Sequence, residues 1–261
     1  MNPSSSRLPK SAALAFVAML PTCHRGGPPG PAVERSDGAL PELVVRRAAP
    51  GAIVVDGHAD EPAWQRAPTT GRFVHPGTGK PAERSRVNAE ARLLWDAEKL
   101  YVTVTVWDAD AATPFSRDDV DPHVWERASG VELMLAPGDF ADNRDYFELQ
   151  IDPAGAVWDT RFDDYNRPVG GGRFGHQEWA SGLERVTSRD ERAGAWTVEL
   201  ALPWASVKTA RAAPPAPGDV WRANLYSFRD GQRDALAWSP ILGKGNFHRA
   251  ARFGRLRFEA E

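Results

Sequence analysis

The stretch Ala91–Asp108, ARLLWDAEKLYVTVTVWD, decides the fold class. Its second arm alternates without a break. Val102, Val104 and Val106 share one side of an extended chain, and Tyr101, Thr103, Thr105 and Trp107 share the other. Asp96–Lys99 supplies the turn between Ala91–Trp95 and Leu100–Trp107, so the stretch reads as a β-hairpin.

Working outward, Ile53–Trp64 (IVVDGHADEPAW) reads as a strand over Ala52–Val55, a tight Asp-Gly turn and a short helix holding a buried Trp. Asp60 is suited to cap that helix, and Pro62 is tolerated in its first turn. Further strands are expected at Leu43–Arg46, Gly130–Ala136, Leu183–Thr187, Ala195–Leu202, Val220–Phe228 and Gly254–Phe258. A second hairpin, Asp145–Asp152 with Ala156–Phe162, turns about Pro153-Ala154-Gly155. Only Glu61–Arg66 and Trp204–Val207 read as helices, both short. Many strands separated by turn signals predict an all-β fold. The expected form is an antiparallel β-sandwich, immunoglobulin- or jelly-roll-like, with short peripheral helices and long loops. Three long irregular stretches, Ala109–Arg127, Asp163–Trp179 and Ile241–Arg252, interrupt the pattern. Such loops on a rigid scaffold are where binding residues concentrate.

The 261 residues are long enough for one large all-β domain. A net charge of −3 carries no basic excess, which argues against a nucleic-acid partner. The start of the chain reads differently from the rest. Arg7 and Lys10 precede the apolar run Ser11–Leu20, too short to span a bilayer and typical of an export signal. Cys23, the single cysteine, follows directly in LPTC, as in a lipoprotein signal, although Thr22 replaces the usual small residue. An ordinary signal with an incidental cysteine is the alternative. Residues 1–22 are thus expected to be a signal peptide, 23–40 a flexible Gly/Pro-rich tether and 41–261 the domain. The expected location is the outer membrane or cell surface through lipid on Cys23, otherwise the periplasm or the medium. The membrane is met only through that anchor.

Two residues stand out for chemistry. Trp125, in His123-Val124-Trp125-Glu126, lies in a polar loop, where its face is suited to stack on a sugar. Glu132 alternates with Val131, Leu133 and Leu135, so a carboxylate sits mid-strand in an apolar context and needs a ligand or an ion-pair partner such as Arg92 or Arg222. Glu148 and Gln150 share the polar face of their own strand.

The two opening stretches, taken with Phe247–Phe258 (FHRAARFGRLRF), resemble a family 9 carbohydrate-binding module, within the DOMON-like sandwich superfamily. The resemblance implies a non-catalytic module that holds mono-, oligo- or polysaccharide for capture or catabolism, served by a separate glycosidase where hydrolysis follows. It implies Trp125 and Phe247 as stacking walls, with Phe247 where the family pattern has Trp. It implies Glu132, Glu148, Asn224 and Tyr226 as the polar lining. Glu148 stands where the family often has Arg, and Tyr226 where it has an amide.

Catalytic signatures are scarce. Glu132 and Glu148 are the one pair that resembles a glycosidase's carboxylates. The six His residues are scattered, without zinc spacing, and Gly170–Gly172 lacks the Lys-Ser/Thr of a phosphate loop. Asp108, Asp110, Asp118, Asp119 and Asp121 crowd one loop in a way that suits structural calcium. Two rival readings stay open. One is a haem- or redox-binding domain using Met134 and His248. The other is a surface protein-interaction module.

Overall fold

The computed structural model describes residues 33–82, 85, 87–171, 173–231 and 233–260. The segment read as a signal peptide and Cys23 lie outside them. Eleven strands are present among the described residues: β1 Glu42–Arg47, β2 Asn88–Trp95, β3 Lys99–Trp107, β4 Gly130–Ala136, β5 Arg144–Ile151, β6 Val157–Asp164, β7 Glu184–Asp190, β8 Ala195–Pro203, β9 Val220–Arg229, β10 Arg233–Ala237 and β11 Gly254–Glu259. Three short helices, α1 Pro62–Arg66, α2 Val124–Arg127 and α3 Trp204–Val207, lie at the periphery.

The hydrogen-bonded order is β6-β5-β4-β9-β11-β1-β2-β3-β8-β7, with β10 added beside β9. Pairing is antiparallel except at β1, which runs parallel to both β11 and β2. The sheet curls so that its two halves face each other across one core. Val102, Val104 and Val106 of β3 and Val198 and Leu200 of β8 belong to the same buried cluster as Leu133 of β4, Leu149 of β5 and Leu225 of β9. This is the all-β sandwich expected, and its interior is built by the period-2 alternation of each strand.

The hairpin forms as read. Asp96 closes it by accepting from the backbone N–H groups of Glu98 (2.7 Å) and Lys99 (2.8 Å), and the Tyr101 hydroxyl donates to the same carboxylate (2.9 Å). The outer side of β3 is not open. Tyr101 packs with Leu94, Ala201 and the helical Trp64 in a second apolar cluster.

Ala52–Val55 is not a strand. Val54 is exposed, and its N–H is taken by the Glu61 carboxylate at 2.7 Å rather than by a neighbouring strand. Helix α1 begins one residue later than expected. Its N-cap is Glu61 with no side-chain cap, so Asp60 does not play that part. Trp125 lies on the short helix α2 rather than in irregular loop. The end of the segment read as a tether rests on the domain. The Arg35 guanidinium donates to the Arg72 and Thr70 carbonyls at 2.9 and 2.7 Å, and its backbone N–H reaches Gly79 O at 2.7 Å.

Candidate functional site

Strands β4, β5 and β6 turn their non-core face toward a cleft of about 410 Å³. The alternation that sends Val131, Leu133 and Leu135 inward sends Glu132 and Met134 outward, and β5 and β6 do the same with Glu148, Gln150, Trp158, Thr160 and Phe162. Trp125 from α2, the loop carrying Tyr165, Arg173 and Phe174, and the loop carrying Asn246, Phe247 and His248 complete the lining. Gly175 lets the loop carrying Arg173 and Phe174 approach β6. A Cβ there would stand 2.7 Å from Thr160 Oγ1 and 2.8 Å from the Phe162 ring.

Gln150 organises the floor. Its Oε1 accepts the Trp125 backbone N–H at 3.0 Å, which fixes α2 at the rim. Its Nε2 donates to Glu132 Oε2 at 2.9 Å and Glu148 Oε1 at 2.7 Å, so both amide hydrogens are used. The other oxygen of each acid, Glu132 Oε1 and Glu148 Oε2, is buried without a hydrogen-bond partner, as is Thr160 Oγ1. Glu132 and Glu148 are only 1% and 3% exposed. Among the described residues neither Arg92 nor Arg222 is paired with Glu132, and Arg222 pairs with Asp139 instead. Burial pushes the Glu148 carboxyl up to about 8. Burial, reinforced by the neighbouring Glu148, drives Glu132 well above the carboxylate range against the opposing Gln150 bond.

The walls are aromatic. Trp125 meets Trp158 edge-on at 4.4 Å and carries His123 stacked at 4.6 Å. His248 stacks on Tyr165 at 4.0 Å and pairs through Nδ1 with the Tyr146 hydroxyl at 2.6 Å. Its Nε2 faces Glu148 Oε2 at 3.6 Å, and burial lowers its pKa to about 4. Met134 and His248 thus share the cleft, but both nitrogens of the ring already face protein groups. Phe247 lies flat on Tyr226, with ring centroids 3.9 Å apart.

The structure therefore brings Trp125, Glu132, Glu148 and Phe247 to one cleft. Asn224 and Tyr226 stand behind it. The Asn224 amide is spent on the Ser239 backbone, Leu225 N–H and the Tyr226 hydroxyl, and that hydroxyl donates to Phe247 O at 3.1 Å. They brace the wall that Phe247 presents. Trp158, Tyr165 and His248 belong to the lining without having been singled out as sugar contacts. Their signal was a polar or aromatic face on β6 and two long loops.

The acidic loop is dispersed. Asp108 is paired with Arg229, and Asp119 accepts from Ser116 N–H at 3.0 Å. Among the described residues no three His, Cys, Asp or Glu side chains gather as a metal cage.

Two solved structures from Caldicellulosiruptor kristjanssonii, family 9 carbohydrate-binding modules in complex with cellotriose and with glucose, share the fold at TM-scores of 0.57 and 0.56. Each is 15% identical and covers 84% of this chain, with 94% and 96% of its own length matched. A putative carbohydrate-binding protein from Bacteroides uniformis ATCC 8492 aligns at a TM-score of 0.63 and 21% identity, covering 85% of this chain and 100% of its own. Among curated proteins none matches. The model of the carbohydrate family 9 binding domain-like family matches residues 55–260, which span every strand except β1. The chain belongs to that family.

Proposed function

We propose that the cleft over β4, β5 and β6 binds carbohydrate non-covalently. The observation that carries this reading is the pairing of an aromatic wall with unsatisfied buried acceptors. Trp125, Trp158, Phe247 and Tyr165 offer faces for the apolar C–H side of a sugar ring. Glu132 Oε1, Glu148 Oε2 and Thr160 Oγ1 offer acceptors with no hydrogen-bond partner among the described residues. Buried polar atoms are almost always paired, so orphans clustered at one cleft point to a ligand that completes them. The family and the sugars held by the two Caldicellulosiruptor modules support the same reading.

The reading is of a binding module without chemistry of its own. Glycosidase carboxyls flank the scissile bond from two sides. Glu132 and Glu148 instead lie diagonally on one face of adjacent strands, tied through one amide nitrogen. Hydrolysis of a captured polysaccharide falls to a separate glycosidase. Export and a lipid anchor on Cys23 rest on Arg7, Lys10 and the apolar run Ser11–Leu20. A glycan array probed with the purified protein, with and without calcium, tests the reading. Binding to a defined glycan class supports it, and a folded protein that retains no glycan overturns it.

A further inference from the structure

Among the described residues no charged group pairs with the two carboxyls on the floor, and burial favours their protonated forms. Gln150 has no hydrogen left to donate to either free oxygen. Arg173, the arginine on the lining, is half exposed and faces Glu178 at 3.5 Å. The titratable groups nearest the pair are uncharged at neutral pH. Burial holds the hydroxyls of Tyr146, Tyr165 and Tyr226 in their protonated form, and it keeps His248 neutral. Each neutral sugar hydroxyl has one hydrogen to give, so several would have to converge to meet this acceptor set. An ammonium group has three. Three atoms without a hydrogen-bond partner line the floor: Glu132 Oε1, Glu148 Oε2, which has His248 Nε2 at 3.6 Å, and Thr160 Oγ1, with Thr160 directly opposite Glu148 in the β5–β6 register. The aromatic rings around them favour a cation as well as a sugar face.

We propose that the cleft selects an amine-bearing sugar, a hexosamine whose amino group is free and protonated, with the ammonium seated among Glu132 Oε1, Glu148 Oε2 and Thr160 Oγ1. This rests on the carbohydrate-binding reading of the same cleft. An N-acetylated hexosamine offers only a neutral amide with one N–H and a bulky acyl group, and is the discriminating competitor.

Calorimetric titration of the full chain near neutral pH, where the proton that burial holds on Glu148 can pass to the amine or to buffer as the ammonium seats, tests the proposal. Three oligosaccharides of equal length serve as probes: a fully deacetylated glucosamine oligomer, its N-acetylated counterpart and a cello-oligosaccharide. The expected result is a preference of roughly tenfold for the deacetylated oligomer, from charge-assisted bonds to the pair. That ratio should fall toward one in Glu148→Gln and in Glu132→Gln, with folding verified by thermal melts. Equal binding of all three sugars overturns the amine selection and leaves carbohydrate binding standing. Failure of all three to bind a folded protein overturns both. A preference that survives both glutamine variants places the amine elsewhere and overturns the assigned seat.

Discussion

Two buried carboxyl sites, one in each half of the sandwich, are built from similar material and differ in completeness. Beneath α1, Glu199 of β8 is fully buried and saturated. Its Oε1 accepts the Trp64 indole N–H at 3.0 Å, and its Oε2 accepts the backbone N–H groups of Asp56 and Gly57 at 3.1 and 3.0 Å. Gly57 makes that possible with a φ of +88°, and a side chain there would press on Val186 at 2.9 Å. On the other half, Glu132 and Glu148 share one amide between them and each keeps an oxygen with no partner. The saturated site is an internal fastener. The unsaturated one opens on a cleft. The lesson is that burial of an acid says little about its role, whereas the census of its hydrogen-bond partners separates a structural carboxyl from one that awaits a ligand.

The contrast is breakable by mutation. Trp64→Ala empties the centre of the α1 cluster and removes a donor to Glu199, so it should cost about 4 kcal/mol in urea unfolding. Glu199→Ala strands the indole and two backbone donors and should cost about 3 kcal/mol by the same measurement. Glu148→Gln should leave stability within about 1 kcal/mol or raise it, because it relieves two crowded acids and removes no satisfied charge. A loss from Glu148→Gln as large as that from Glu199→Ala would erase the distinction.

pH sharpens the same comparison. A carboxyl whose pKa rises on folding keeps its proton in the folded state after the unfolded chain has lost it, so stability declines as pH climbs through that interval. For Glu148 the interval runs from 4.5 to about 8. His248, lowered from 6.5 to about 4, acts in the opposite sense below 6.5, since the unfolded chain takes up the proton first. The clean window is therefore pH 6.5 to about 8, where stability should fall with rising pH. Glu148→Gln should flatten that slope. Burial raises Glu199 too, but three donors oppose the shift, so its part in the slope is smaller.

Much of this was legible in the chain. Unbroken alternation in Leu100–Trp107 and Gly130–Ala136 determined which side chains enter the core, and the strands formed there. The same alternation put Glu132 and Glu148 on one face. What escaped was set by distant contacts. The apolar, β-branched run Ile53-Val54-Val55 looked like a strand, but no neighbour pairs with it and Glu61 takes the Val54 N–H. Strand β10, RDALA, has no β-branched residue and forms only because β9 offers an edge. Asn224 and Tyr226 do share a face of β9, yet the C-terminal loop folds over that face and consumes their polar atoms. Gln150 as the joint between Trp125 and both acids could not be read locally, because it unites α2, β4 and β5 only in the folded chain.

The central claim is that the unsaturated cleft, with Trp125 as its wall, is where carbohydrate binds. Parallel calorimetric titration of the native protein and Trp125→Ala with the glycan the native protein prefers tests it most directly. Trp125 is only partly buried at the rim, so the variant should fold. The account predicts that affinity drops at least roughly tenfold, the stacking of one aromatic face, while the melting transition stays close to native. Unchanged affinity in a folded Trp125→Ala protein would contradict it and move the binding site away from this cleft.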